Sequence, residues 1–247
     1  MTHTPPTAKE HDALNRPKRF WKEATVGSGE NAGFPILLDG RRAKTPAGAP
    51  LVLPTEPLAR LVAREWADSG EYVVYAAMPA TRLAFTTIDR IGGARDAVAG
   101  EVAKYAGSDL LCYFAEEPPE LYEREAAAWG PLLDWAEAEL GLRFVRAAGI
   151  VHQPQPAETV DRVKALALEL DDFRLAALSW AAGLFGSAVL AFALARGRAG
   201  GEQAFDLSRL DETFQNEHWG VDEEAAERAA ALRTEAGLLE RWFEALG

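Results

Sequence analysis

The chain has 247 residues, 48 % of them hydrophobic and 26 % charged, and its 26 Lys and Arg stand against 38 Asp and Glu for a net charge of −12. The length suits one large or two ordinary domains of a globular protein. So acidic a surface repels nucleic acid and anionic lipid, whose binding needs clustered cations, and a single cysteine, Cys112, excludes an internal disulfide and any multi-cysteine metal site.

Residues 1–17 are polar, contain Pro5 and Pro6, and read as a disordered tail. They lack the apolar core of a secretory signal and the Arg- and Ser-rich helix of a transit peptide, so a cytoplasmic protein is expected. Residues 18–77 read as a β-rich N-terminal domain with one helix. Its first strand is the aromatic and β-branched run KRFWKEATV. Gly27–Gly33 is a glycine-rich turn without the spacing of a dinucleotide fingerprint. FPILLDGRRAKT reads as a hairpin, because Asp39-Gly40 supplies the two positive-φ positions of a tight turn. Leu51–Pro54 is a further short strand. Thr55 caps a helix running to about Asp68, with Pro57 in its first turn and Trp66 on its inner side. Tyr72–Ala76 reads as one more strand, and Met78-Pro79 as the domain junction.

Residues 78–247 read as a mainly α-helical C-terminal domain, which makes the fold class α+β. Helices are expected over Thr81–Ile91, Arg95–Gly107, Pro119–Trp129, Pro131–Leu140 and Glu158–Leu170. The break at Trp129-Gly130-Pro131 follows from the missing proline N–H and the pre-proline restriction. Leu110–Phe114 is a buried connector or strand, and Arg143–Val145 a short strand. The uncharged run Leu175–Ala195 is too rich in Ala, Gly and Ser for a spanning helix. It reads as two buried helices, roughly Phe173–Ala182 and Ser187–Arg196, around which the rest of the domain must pack. A helix from about Asp206 to His218 carries the apolar stripe Leu207, Leu210 and Phe214. Counting about 100° per residue, Asp211 points from inside that stripe and Glu212 points away. A last helix from about Glu223 repeats Ala225, Ala229, Leu232, Ala236, Leu239, Phe243 and Leu246, small residues suited to close packing against the buried pair. A coiled coil with another chain is the alternative.

Enzyme constellations are absent from the sequence: there is no phosphate loop, nucleophile elbow, His-Glu-x-x-His or Cys-x-x-Cys. The histidines are scattered, and no acid pair stands out as a dyad. The expectation is no enzyme, no catalytic residues, no metal and no cofactor. Asp211 is the residue that asks for an account, since a carboxylate on an apolar stripe must be paired or sit at a binding groove. Either it forms an ion pair with an arginine inside the fold, or it is a charge at the edge of a site that grips another protein.

Seven stretches, KRFWKEATV, GFPILLDGRRAKTP, LVLPTEPLARLVAREW, MPATRLAFTTIDR, YAGSDLLCYFAEEP, GSAVLAFALARGR and SRLDETFQNEHWG, run in register from about Arg16 to the C-terminus. In this the chain resembles the assembly chaperones for the α subunit of the F1 sector of ATP synthase. The resemblance implies an ATP-independent molecular chaperone that binds the free α subunit, shields its β-facing surface and promotes F1 assembly. It also implies a mitochondrial matrix home for organellar relatives. It points to Asp211 as the client-binding acid, where the family is expected to carry Glu, with Glu212, Phe214 and Trp219 as further client-binding candidates. Phe114 stands where a basic residue is expected. A monomer is expected, with no membrane insertion and no nucleic acid. Two other classes stay open: a general holdase or scaffold without a dedicated client, and an enzyme of unrecognised reaction.

Overall fold

A computed structural model describes residues 17–29, 33–149 and 151–247. Most of the expected tail, and part of the Gly27–Gly33 turn, lie outside the described residues. The fold is α+β with a helical majority, and the chain divides into two compact units, one ending at Asp89 and the other beginning at Arg90. The helix started by Pro79 therefore belongs to the first unit, whose last residue, Asp89, lies twelve residues beyond the expected domain end at Ala77.

In the first unit β1 (Ala24–Val26), β2 (Phe34–Leu38), β3 (Arg41–Arg42) and β4 (Val52–Leu53) form an antiparallel sheet in which β2 pairs with all three others. Asp39 and Gly40 take φ of 47° and 78° and join β2 to β3 as the expected tight turn. The Asp39 carboxylate then accepts backbone N–H bonds from Glu23 and Lys22, which tie β1 to the hairpin. KRFWKEATV is a strand only over its last three residues. Lys18 makes one isolated bridge to Tyr72, and the Trp21 ring turns inward, donating its N–H to the Trp66 carbonyl. The expected strand at Tyr72–Ala76 is instead that bridge followed by a 3-10 turn, Tyr75–Ala77. Here the aromatic side chains build a cluster: Trp21–Trp66 centroids lie 5.1 Å apart and Tyr75–Phe85 5.8 Å. Aromatic content, read as a strand signal, serves packing instead.

Thr55 caps α1 (Glu56–Ala67), its hydroxyl accepting from the Leu58 N–H. Leu58, Ala59, Val62, Ala63 and Trp66 face the sheet. Glu65, on the edge of that face, accepts the Ala80 and Thr81 N–H groups at 2.8 and 2.7 Å, so a carboxylate sits on the positive end of α2 (Pro79–Thr86).

In the second unit the helices are α3 (Arg95–Gly107), α4 (Pro119–Leu140), α5 (Ala157–Leu168), α6 (Asp172–Phe185), α7 (Ala188–Ala195), α8 (Gly201–Ser208), α9 (Leu210–Trp219) and α10 (Glu223–Leu246). Two short strands, β5 (Tyr113–Phe114) and β6 (Ala147–Ala148), pair in parallel; the expected strand at Arg143–Val145 lies just before β6. The core is α6 and α7, as the uncharged run suggested. Residues 188–194 are all buried, and α3, α4, α6, α8 and α10 contact α7 from different sides. Gly186, with φ of 64°, ends α6, and Ser187 starts α7 by accepting the Leu190 N–H. The fully buried Asp109 completes this corner: it accepts from the Ser187 hydroxyl and the Val189 and Leu111 N–H groups. Burial pushes its carboxyl up to about 6.

Two expected helix boundaries are corrected. α4 is continuous through Pro131. The pre-proline clash depends largely on the preceding Cβ, and Gly130 has none, so the helix survives with one hydrogen bond missing. The helix expected from Asp206 to His218 is two, because Arg209 leaves helical geometry at φ −119° and ψ 22°. The last helix packs by its second half alone: Ala236, Leu238, Leu239, Trp242, Phe243 and Leu246 are buried, and Leu232 is 37 % exposed.

Candidate functional site

The stripe Leu121, Glu125, Trp129, Leu132, Leu133 and Ala136 forms the buried face of α4. Trp129 donates its indole N–H to the Leu207 carbonyl at 2.9 Å, fixing α4 against the end of α8. One turn earlier on the same face is Glu125, fully buried. One of its oxygens, Oε2, accepts the Ala115 N–H at 2.6 Å. The other, Oε1, has no donor, and neither has the buried Oδ1 of Asp211. The two carboxyls face each other, and a proton between them is what makes their contact a hydrogen bond. Burial first, and Asp211 second, push the Glu125 carboxyl up to about 7. The Glu125 carboxyl thus keeps its proton well above the ordinary carboxylate range.

Nearby cations are engaged elsewhere. Arg124 pairs with Glu217 at 2.8 Å and lies over the Phe214 ring, 5.1 Å from its centroid. Arg209 pairs with Glu212 at 2.9 Å, and Arg146 pairs with Asp134. Of the two readings of Asp211, the internal ion pair with an arginine is replaced by a carboxyl pair.

Asp211 also lines an open groove of about 890 Å³ together with Leu110, Tyr113, Phe114, Glu116, Glu117 and His152. The Tyr113 hydroxyl meets His152 Nδ1 at 3.1 Å on the rim. The groove is acidic, with aromatic and aliphatic surface between its carboxylates. Phe114, which replaces an expected basic residue, is largely buried and packs edge-on against Trp129 at 5.8 Å and tilted against Tyr122 at 5.9 Å. Cys112 beside it is buried, and burial raises its thiol out of the reactive range. Among the described residues no cluster of three metal-ligating side chains occurs, and no helix is long and apolar enough to cross a membrane.

Of the four residues singled out from the sequence, Asp211 alone lines the groove. Glu212 is half-buried in its pair with Arg209. Phe214 is buried between Arg124 and His218 and holds α9 to α4. Trp219, at the end of α9, is 78 % exposed. Sequence reasoning missed Glu125. Its signal was present as an acid four residues after Leu121 and four before Trp129, within one apolar stripe.

Comparisons with known proteins agree on one family. Residues 18–137 match the family model described as ATP12 chaperone protein. Protein atp12, mitochondrial, of Schizosaccharomyces pombe is 28 % identical over 222 residues, 85 % of this chain and 76 % of the yeast protein. The crystal structure of Atp12 from Paracoccus denitrificans superposes with a TM-score of 0.85 at 39 % identity, covering 92 % of this chain and 97 % of that one. A protein from Agrobacterium tumefaciens superposes at 0.87 with 40 % identity, over 100 % of this chain and 93 % of that one. On this likeness, which runs through both units, the chain belongs to the ATP12 chaperone family.

Proposed function

We propose that this chaperone binds the free α subunit of the F1 sector of ATP synthase, covers the surface that the β subunit later occupies, and departs as the α–β ring forms. The observation that carries the reading is the 39 % identity to a solved Atp12 along 97 % of that chain. The groove supports it. It is open and long, with carboxylates spaced by aromatic surface, which suits a protein segment better than an enclosed small substrate. Competition between the chaperone and the β subunit for one surface supplies release without nucleotide, so no cofactor enters the scheme. The chain acts as a monomer in the cytoplasm. Asp211 is the client-binding charge, Trp219 an exposed contact at the end of the same helix, Glu212 an auxiliary acid, and Phe214 the buried residue that holds α9 in place.

The test is binding of the full chain to purified α subunit and, separately, to β subunit. Tight binding to α with none to β is expected. Asp211→Lys should weaken it by at least about tenfold, equivalent to ~1.4 kcal/mol, with an unchanged circular dichroism spectrum. Trp219→Ala, at an exposed position where folding is not at stake, should weaken it less. Equal protection of unrelated aggregating proteins, with no preference for α, would replace this reading with a general holdase.

A further inference from the structure

The carboxyl pair under the groove has a feature that packing does not account for. Glu125 is fully buried with one oxygen unpartnered, and the carboxyl it interacts with, that of Asp211, has a buried, unpartnered oxygen too. A purely structural acid at such a position would have an arginine or a full set of donors, as Asp109 has with one hydroxyl and two N–H groups. Apolar side chains of similar volume would also be cheaper to bury than two carboxyls. The arrangement sets a carboxyl pair at the wall of a groove, held in register through the Ala115 N–H that Glu125 accepts.

We propose that Asp211, backed by Glu125, is the seat of one arginine side chain presented by the client, and that seating this guanidinium expels the proton the two carboxyls share. The inference rests on the reading that the groove takes a protein client. Charge complementarity commits it to a cation: Glu116, Glu117 and Asp211 line the groove, and among the residues named there only His152 can be positive. Guanidinium is favoured over ammonium because the seat combines carboxylate oxygens with aromatic surface at Tyr113. A planar, weakly hydrated, five-donor cation satisfies both surfaces at once.

The sign of the pH dependence follows. A cation beside the pair favours its deprotonated form, so the proton leaves to solvent on binding and affinity rises with pH until Glu125 is already ionised in the free protein. The other charged groups around the pair are Arg124 of α4, held by Glu217 of α9; Glu212 of α9, held by Arg209; Arg146, held by Asp134; and, on the groove side, Glu116, Glu117 and His152. Glu125→Gln isolates the pair, because its amide can still donate to Asp211 and it carries no proton to lose.

Calorimetry of the full chain with purified α subunit, in two buffers of different ionisation heat, counts the protons. The expected result is release of up to one proton near pH 6.5 and roughly eightfold tighter binding at about pH 7.5 than at about pH 6, by one-proton linkage. Glu125→Gln should abolish the release and flatten the affinity. If α binds with the same proton count in wild type and Glu125→Gln, the arginine seat is wrong while the α-subunit reading stands. If α does not bind at all, N-acetyl-argininamide is the deciding probe, with N-acetyl-lysinamide and sodium chloride at equal ionic strength as controls. A downward shift of the Glu125 carboxyl carbon titration by the arginine analogue alone keeps the seat and discards the client, whereas no shift, or the same shift by lysine, overturns it. Should Glu125→Gln fail to fold, the wild-type proton count decides by itself, zero release being fatal.

Discussion

Glu125 is a carboxyl group placed where a carboxylate is costly: it is buried, and its neighbour is another acid. In the unfolded chain it titrates near the ordinary 4.5; in the fold it is raised to about 7. The folded state thus binds the extra proton between those values. The stability from this group is complete below pH 4.5, falls as pH rises toward about 7, and is gone above it. Glu125→Gln makes the neutral form permanent. Relative to wild type, the variant should gain on the order of 1–3 kcal/mol at pH 8 and little at pH 5. Urea midpoints at the two pH values check this, and an equal difference at both would show that the proton is not held here. The sequence named Asp211 as an acid needing either an arginine partner or a groove; among the described residues no arginine pairs with it, and it lines a groove beside a second acid. An arginine is the commoner answer to a buried carboxylate, and nothing local in SRLDETF points to an acid 86 residues earlier in α4.

Elements were most legible where a signal is local. Thr55, Ser187, Gly186 and the Asp39-Gly40 turn all act as their types require. Arg95–Gly107 carries the expected bounds unchanged. Legibility failed where the outcome depends on a neighbour. Gly130 makes Pro131 tolerable inside α4, Arg209 divides α8 from α9, and Trp21 and Tyr75 turn into an aromatic cluster instead of extending strands. The packing of α8 on α10 depends on a feature of this second kind. A Cβ built on Gly201 would stand 2.1 Å from the Ala236 carbonyl oxygen, and both residues are backbone-to-backbone neighbours at the crossing. Gly201→Ala must therefore push two helices apart. A loss of about 1–3 kcal/mol is expected, seen as a lower denaturation midpoint with the helical circular dichroism signal retained. A neutral result would mean that the crossing is looser than described.

Over the whole molecule, the resemblance read from seven stretches in register agrees with the family reached through the fold, and the α+β class follows from the same residues. The groove was not legible, because β5, β6 and the start of α9 come together from three distant parts of the second unit. Stability is unevenly spread through that unit. The α6–α7 pair is enclosed, and the last three turns of α10 close over α6, where Arg174 donates to the Leu246 carbonyl and Trp242 to the Phe173 carbonyl at 2.9 and 3.1 Å. The first half of α10 has almost nothing against it but water, apart from Arg233 and its pairs with Asp206 and Glu202. An isolated helix of about a dozen residues is marginal in water. Amide hydrogens over 223–232 should exchange orders of magnitude faster than those over 236–246, which should wait for global unfolding. Uniform protection along α10 would contradict this. One covalent helix would then behave as a rigid stem carrying a tip that melts and reforms independently, and a protease or a partner could take hold of that tip while the core stays shut.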